Sequence, residues 1–357
     1  MEYDKPVGIA NMGNSCFLNA LLQCLCVPAT GERTKCRMHK STDALDELVQ
    51  SVVARHAGGV AAHTDARDFG VRGANAGTGY AHSRGRQDAP ITLQTPLIRE
   101  IFDADLGHQG QQCPMHFFSA ACASGGVLAE CFNATIGEVL TCGECGASLK
   151  APHSWKDNHV QILKFDAKTS AVTLKGLIFE NIISAQIEGY SPEKHACLAS
   201  TGQMCSGKHG AHHVTYFAQT LPEHLCFALS SRTEGAFKNS RYFAPEHRMV
   251  LPEVRYAPPG TPSSSGAAPG PASVPYELYA TITHSGRDAQ GGHFSAYVLR
   301  ENKSWFHLDD EHVEQVDAAT VLDPPRHNSI YMLFYRRETA PSADADNFHR
   351  AVRHRTH

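Results

Sequence analysis

From Tyr276 onward the chain alternates apolar and polar residues in segments divided by short polar breaks, a period-2 pattern that paired strands accommodate. Tyr276-Glu277-Leu278-Tyr279-Ala280-Thr281-Ile282 predicts one strand and His293-Phe294-Ser295-Ala296-Tyr297-Val298 the next, with a Gly-bearing loop between them. A tight turn near Glu301-Asn302 and a returning strand, Trp305-Phe306-His307-Leu308, complete a hairpin. A two-residue turn at Glu301-Asn302 sets Asp310 opposite His293, and a three-residue loop from Arg300 to Asn302 sets Asp309 there instead. Either way a histidine and a carboxylate meet by local geometry. His293 follows Gly291-Gly292 directly, and two glycines permit another backbone to come close.

Near the other end, Phe17, Leu18, Leu21, Leu22 and Leu25 recur at helical spacing behind Gly13-Asn14-Ser15, which predicts a buried helix starting near Asn14. Cys16 falls in its first turn. A thiol there sits at the positive end of the helix dipole beside unpaired N–H groups, which favours the attacking thiolate. An isolated cysteine is more often a small apolar filler. The histidine–carboxylate hairpin changes that weighting, because it supplies the base and the orienting group that activate a thiol nucleophile.

Both segments resemble the signature boxes of the ubiquitin-specific protease family of deubiquitinases. Gly8-Ile9-Ala10-Asn11-Met12-Gly13-Asn14-Ser15-Cys16-Phe17-Leu18-Asn19-Ala20-Leu21-Leu22-Gln23 departs only conservatively from the first box. Tyr276 to Ala280, His284 to Gly286, Gly292 to Tyr297, Trp305, Asp309, Asp310 and the closing Ile330-Tyr331-Met332-Leu333-Phe334-Tyr335 follow the second in order. The resemblance implies an α+β, papain-like cysteine protease within residues 1–337. Its helical thumb would span about 1–130, zinc-ribbon-like fingers about 131–215 and a β-rich palm about 216–337. It implies hydrolysis after the C-terminal glycine of ubiquitin, with Cys16 as nucleophile, His293 as base, Asp309 orienting the imidazole, Asn11 donating to the oxyanion and Asp310 assisting on that side. Alternatives are a protease for a ubiquitin-like modifier and a catalytically silent ubiquitin-binding scaffold. Two motifs depart from the family: Gln111-Gln112-Cys113-Pro114-Met115-His116-Phe117-Phe118 lacks the acidic positions that help bind the ubiquitin tail, and Leu229-Ser230-Ser231-Arg232 stands where a Leu-Lys-Arg-Phe run is usual.

Cys142-Gly143-Glu144-Cys145 can place two sulfurs on one tetrahedral zinc, and the family completes such a site with a second cysteine pair. Cys197 and Cys205 are the candidates, with His195 able to replace one of them. The rival reading, a redox Cys-x-x-Cys, lacks a surrounding βαβ pattern. Structural zinc is therefore expected, and no catalytic cofactor. His209-Gly210-Ala211-His212-His213 is read as exposed turn histidines, and the remaining cysteines as packing or surface thiols.

Composition sets the outer limits. The 357 residues suggest more than one lobe, and a hydrophobic content of 42% suits a globular chain with no bilayer-spanning run. A net charge of −4 argues against nucleic acid as main partner. The first residues lack a secretory leader, and 12 cysteines then suit thiol or metal chemistry in the cytoplasm or nucleus. Ubiquitin and ubiquitinated proteins are the expected partners of a monomer that engages no membrane. Asp43 or Thr42 caps a predicted helix over 43–54, and residues 57–88 read as a mobile insertion. Residues 257–275 read as a flexible loop, and 338–357 as a disordered tail.

Overall fold

Two β-sheets and a layer of helices make up the protein, in a computed structural model that describes residues 5–11, 15–30, 37, 43–56, 113–141, 148–150, 156–164, 173–178, 185–187, 212–230, 243–253, 272–286, 291–324 and 328–338. In chain order the elements are α1 (Cys16–Thr30), α2 (Ala44–His56), α3 (Pro114–Ala123), α4 (Val127–Phe132), β1 (Ala134–Thr141), β2 (Ser148–Lys150), β3 (Lys156–Asn158), β4 (Gln161–Lys164), α5 (Leu174–Ile178), β5 (Ala185–Ile187), β6 (His212–Thr220), β7 (His224–Ser230), β8 (Arg248–Glu253), β9 (Ala272–Ser285), β10 (His293–Leu299), β11 (Trp305–Asp309), β12 (His312–Val316), α6 (Ala318–Leu322) and β13 (Asn328–Arg337).

The larger sheet has the order β12-β11-β10-β9-β13-β7-β4, with β8 on β9, and it carries the alternating pattern of the C-terminal sequence. The smaller has the order β2-β1-β6-β5, with β3 on β1. β4 belongs to the larger sheet, paired parallel to β7, although its residues fall inside the 131–215 interval expected for the fingers. Two readings move. β9 begins at Ala272, so the end of the expected 257–275 loop is strand, recruited by β8 through pairs such as Leu251↔Val274. His212 and His213 are strand residues of β6 and not turn histidines, paired with Ile187 and Gln186.

The core lies between the helices and the larger sheet. Phe17, Leu18, Leu21, Leu22 and Leu25 are all buried, as the helical spacing of α1 requires, and α1 packs on β9, β10 and β11 as well as on α2, α3 and α4. Aromatic rings join the layers: Phe118 meets Phe132 edge-on at 5.1 Å, and Phe334 of β13 lies 6.2 Å from both Phe132 and Tyr279. Such contacts add about 0.5–1.5 kcal/mol per pair beyond the burial itself. Among the buried thiols, Cys24, Cys26, Cys122, Cys131 and Cys226 act as packing groups, and desolvation holds Cys26 protonated with its pKa pushed up to about 12.

Two carboxylates at the start of α2 hold helix ends, one partly buried and one wholly buried. Asp43 caps α2 by accepting from Leu45 N at 3.0 Å. Asp46, wholly buried, accepts from Val127 N at 2.7 Å and Leu128 N at 3.0 Å, so a side chain of α2 satisfies the first donors of α4. The stretch 57–112 lies outside the described residues, and with it the expected insertion and Gln112; Cys113 precedes α3, which has Pro114 in its first turn.

Candidate active site

Cys16 is the first residue of α1, one position after Ser15, whose carbonyl accepts from Leu18 N and Asn19 N. Asn11 caps this turn from outside: its Oδ1 accepts from Ser15 N and Ser15 Oγ, each at 3.3 Å. The helix thus begins two residues later than the apolar spacing suggests, and Met12 to Asn14 lie outside the described residues. The thiol of Cys16 is buried and hydrogen-bonded to His293.

His293 opens β10 at the mouth of the Gly291-Gly292 approach. Gly292 has φ 151°, and a Cβ there would stand 2.3 Å from Ser285 O and 2.5 Å from His284 Nε2, so only glycine lets β9 and β10 close at this end. The imidazole Nε2 is hydrogen-bonded to Asp309 Oδ1, which leaves Nδ1 for the thiol. The hairpin delivers this pairing with a register that neither sequence option contained. Leu299 pairs with Trp305 and Ala296 with Leu308; the loop is Glu301-Asn302-Lys303, closed by Arg300 N to Ser304 O at 3.0 Å. Lys303 takes the left-handed conformation at φ 64°, and Asn302 Oδ1 holds the turn by accepting from Ser304 N. Asp309 therefore reaches His293 diagonally across the strands and not from the position directly opposite.

Asp310 follows at φ 53°, and its carboxylate meets the N-terminal segment. Its Oδ2 accepts from Asn11 Nδ2 at 2.8 Å and its Oδ1 from Asn19 Nδ2 at 2.7 Å, while Oδ2 stays 4.0 Å from His293 Nε2. The side chain of Asp310 is 12% exposed against 40% for Asp309. Backbone contacts reinforce this seam: Ile9 N donates to Asp310 O at 2.9 Å, and Gly8 lies so near the next residue that a Cβ would meet Glu311 O at 2.3 Å. Farther along α1, Gln23 Nε2 and, from α2, His56 Nε2 both bond to Val7 O.

Electrostatics match the geometry. The His293 pKa is raised to about 9, first by its hydrogen bond to Cys16, against which partial burial works, and then by the bond and charge of Asp309. An imidazolium so held faces a sulfur that can carry the matching negative charge. Behind the site, Ser295 Oγ bridges Thr283 Oγ1 and His307 Nε2, each at 3.0 Å, and Tyr297 stacks on His307. Desolvation lowers the His307 pKa, which favours the neutral form of this ring.

Five residues singled out in the sequence, Asn11, Cys16, His293, Asp309 and Asp310, thus converge. The proposed zinc ligands Cys142, Cys145, Cys197 and Cys205, with His195, lie outside the described residues. Sequence reasoning gave Asn19 and Gly8 no role beyond their places in the first box, and took Ser15 only as part of the Gly13-Asn14-Ser15 turn and cap, not as the donor to Asn11. The available signal was Asn19 itself, an amide on a buried helix face where a polar group requires partners.

The chain is similar in sequence and in fold to known proteins. The family described as ubiquitin carboxyl-terminal hydrolase matches residues 119–335. Ubiquitin carboxyl-terminal hydrolase 17-like protein C of Mus musculus is 23% identical over 343 residues, 93% of this chain and 55% of that protein. The chain thus spans about half the length of such relatives. Ubiquitin carboxyl-terminal hydrolase 10 of Arabidopsis thaliana is 43% identical over 63 residues, 17% of this chain and 6% of that one. In fold, the chain resembles one from the SAGA DUB module of Ubp8, Sgf11, Sus1 and Sgf73 bound to monoubiquitin, with a TM-score of 0.63, 16% identity and coverage of 95% of this chain and 71% of the other.

Proposed function

The chain belongs to the ubiquitin carboxyl-terminal hydrolase family, and on that premise we propose that it is a thiol-dependent deubiquitinase cleaving the isopeptide or peptide bond after ubiquitin's C-terminal glycine. The observation that carries this reading is the line Cys16–His293–Asp309 at the start of α1, with Asn11 on the oxyanion side. The Cys16 thiolate attacks the glycyl carbonyl, and the oxyanion that forms is met by the Asn11 amide. His293 passes its proton to the departing amine, leaving a thioester; it then takes a proton from water, whose oxygen replaces the sulfur and returns the free enzyme. Asp309 holds the imidazole in the required tautomer, and Asp310 holds Asn11.

Structural zinc belongs to this proposal. Thr141 pairs with His213, and Ile187 with His212. The connections bearing Cys142/Cys145 and Cys197/Cys205 therefore leave one end of the smaller sheet, where a single tetrahedral ion would tie them together. No catalytic step passes through it. Ubiquitin and ubiquitinated proteins are the proposed partners of a monomeric enzyme. The seven free thiols among the described residues suit a reducing compartment, the cytoplasm or the nucleus.

Covalent capture tests the reading. Ubiquitin carrying a C-terminal electrophile should label the protein stoichiometrically, and Cys16→Ala should lose both labelling and cleavage of a ubiquitin C-terminal fluorogenic amide while melting as the parent does. Capture by an electrophile on a ubiquitin-like modifier, with none by ubiquitin, would redirect the substrate and keep the chemistry.

A further inference from the structure

Asn19 lies one turn beyond Cys16 on α1, 2% exposed. Its Nδ2 faces three acceptors: Asp310 Oδ1 at 2.7 Å, Ile9 O at 3.2 Å and Ala10 O at 3.4 Å. That set fixes the direction of the amide, since an oxygen turned toward two carbonyls and a carboxylate would meet only lone pairs. The opposite end, Oδ1, is buried with no hydrogen-bond partner among the described residues. Leaving a buried acceptor unmade is costly, so the position is organised around what the donor holds.

What it holds leads straight to the oxyanion side. The Asp310 carboxylate has two oxygens: one receives Asn19, the other receives Asn11 at 2.8 Å. Asn11 is gripped at its own far end by Ser15, directly before the nucleophile. A planar carboxylate pinned at Oδ1 has its Oδ2 aimed, and an amide pinned at Oδ1 and Nδ2 cannot turn. The same Asn19 donor grips the carbonyls of Ile9 and Ala10, which carry the chain into Asn11.

We infer that Asn19 is a positioning residue for the proposed hydrolysis: it aims the Asp310 carboxylate at Asn11 and thereby sets the direction in which the Asn11 amide meets the oxyanion. It touches no reacting atom. The inference rests on the deubiquitinase reading and adds a residue whose effect belongs to the transition state, not to ubiquitin binding.

The test uses the full chain, active-site-titrated, with the fluorogenic ubiquitin amide. Asn19→Ala should lower kcat about tenfold, a fraction of the 10²–10³ that loss of an oxyanion donor costs, with KM within about twofold of the parent. Asn19→Asp keeps the shape but turns lone pairs on the three acceptors, and should cost more. Alkylation of Cys16 by iodoacetamide and the alkaline limb of the pH–rate profile should stay in place in both, which a general collapse of the site would not allow. In an Asn11→Ala background, Asn19→Ala should slow turnover by no more than about twofold further, because the group it positions is already gone. If Asn19→Ala does not fold, Asn19→Ser, too short to reach Asp310, is judged by the same criteria. An unchanged kcat, a loss expressed in KM, or full multiplication of the two losses overturns the inference. A parent enzyme that neither cleaves the amide nor captures the ubiquitin electrophile overturns the deubiquitinase reading instead.

Discussion

His293 and Asp309 stand 16 residues apart and meet on one hairpin, whereas Cys16 arrives from the far end of the sequence and is held by a seam between residues 8–19 and the Asp310-Glu311 turn. The first half is closed by a three-residue loop, so its geometry follows from local strand pairing. The second exists only when the helical layer has docked on the sheet. The two halves should therefore fail differently: damage to the hairpin changes proton chemistry, and damage to the seam changes alignment.

The largest separation is expected from Asp309→Asn. Loss of the orienting carboxylate of a triad costs roughly 10⁴ in kcat where it has been replaced by an amide. The raised His293 pKa means that the imidazolium is retained until pH passes about 9, so the alkaline limb of kcat/KM should lie near that value. Without Asp309 the limb should move toward the ordinary histidine value and stop short of it, because Cys16 remains the larger cause of the rise. Asp310→Asn should cost about 10²–10³ in kcat through the oxyanion side and leave the limb where it was. A shifted limb in Asp310→Asn and an unmoved one in Asp309→Asn would reverse the two assignments.

Gly8→Ala attacks the seam without touching a polar group. The added methyl meets backbone at Glu311, which has no rotamer to yield, so about 1–3 kcal/mol of stability should be lost, read from denaturant midpoints. An unaltered midpoint would show that the seam tolerates displacement. A smaller effect near neutral pH is expected from His56, which bonds to Val7 O beside that seam. Desolvation first, then the charge of Arg300, lower its pKa to about 4, against the Val7 bond. The unfolded chain thus binds its proton first: this stability is complete above pH 6.5 and lost as pH falls toward 4, about 2 kcal/mol by pH 5. His56→Gln should flatten that part of the melting-versus-pH curve, and an equally steep curve would remove His56 as its cause.

What could be read from the sequence divides along the same line. The apolar stripe of α1, the strands β9 to β11 and the meeting of His293 with a carboxylate follow from periodicities, which report local structure. The register did not, because it depends on Lys303 taking a left-handed conformation that its identity does not signal, while Asn302, a residue suited to that role, instead braces the turn with its side chain. Asn19 escaped for the opposite reason: its partners, Ile9, Ala10 and Asp310, are distant or lack any chemical flag in sequence. β4 shows the limit for whole elements, since Gln161-Ile162-Leu163-Lys164 becomes strand through parallel pairing with β7, a partner that no local pattern announces.

Asp46 bears on how the helical layer could be taken apart and put back together. One carboxylate on α2 holds the first two N–H groups of α4, 81 and 82 residues farther along the chain, so acceptor and donors sit on parts of the polypeptide that could be supplied separately. A protein given as two pieces, one ending after α2 and the other carrying α4, would bring its own clasp to reassembly, with the acceptor on one fragment and the donors on the other.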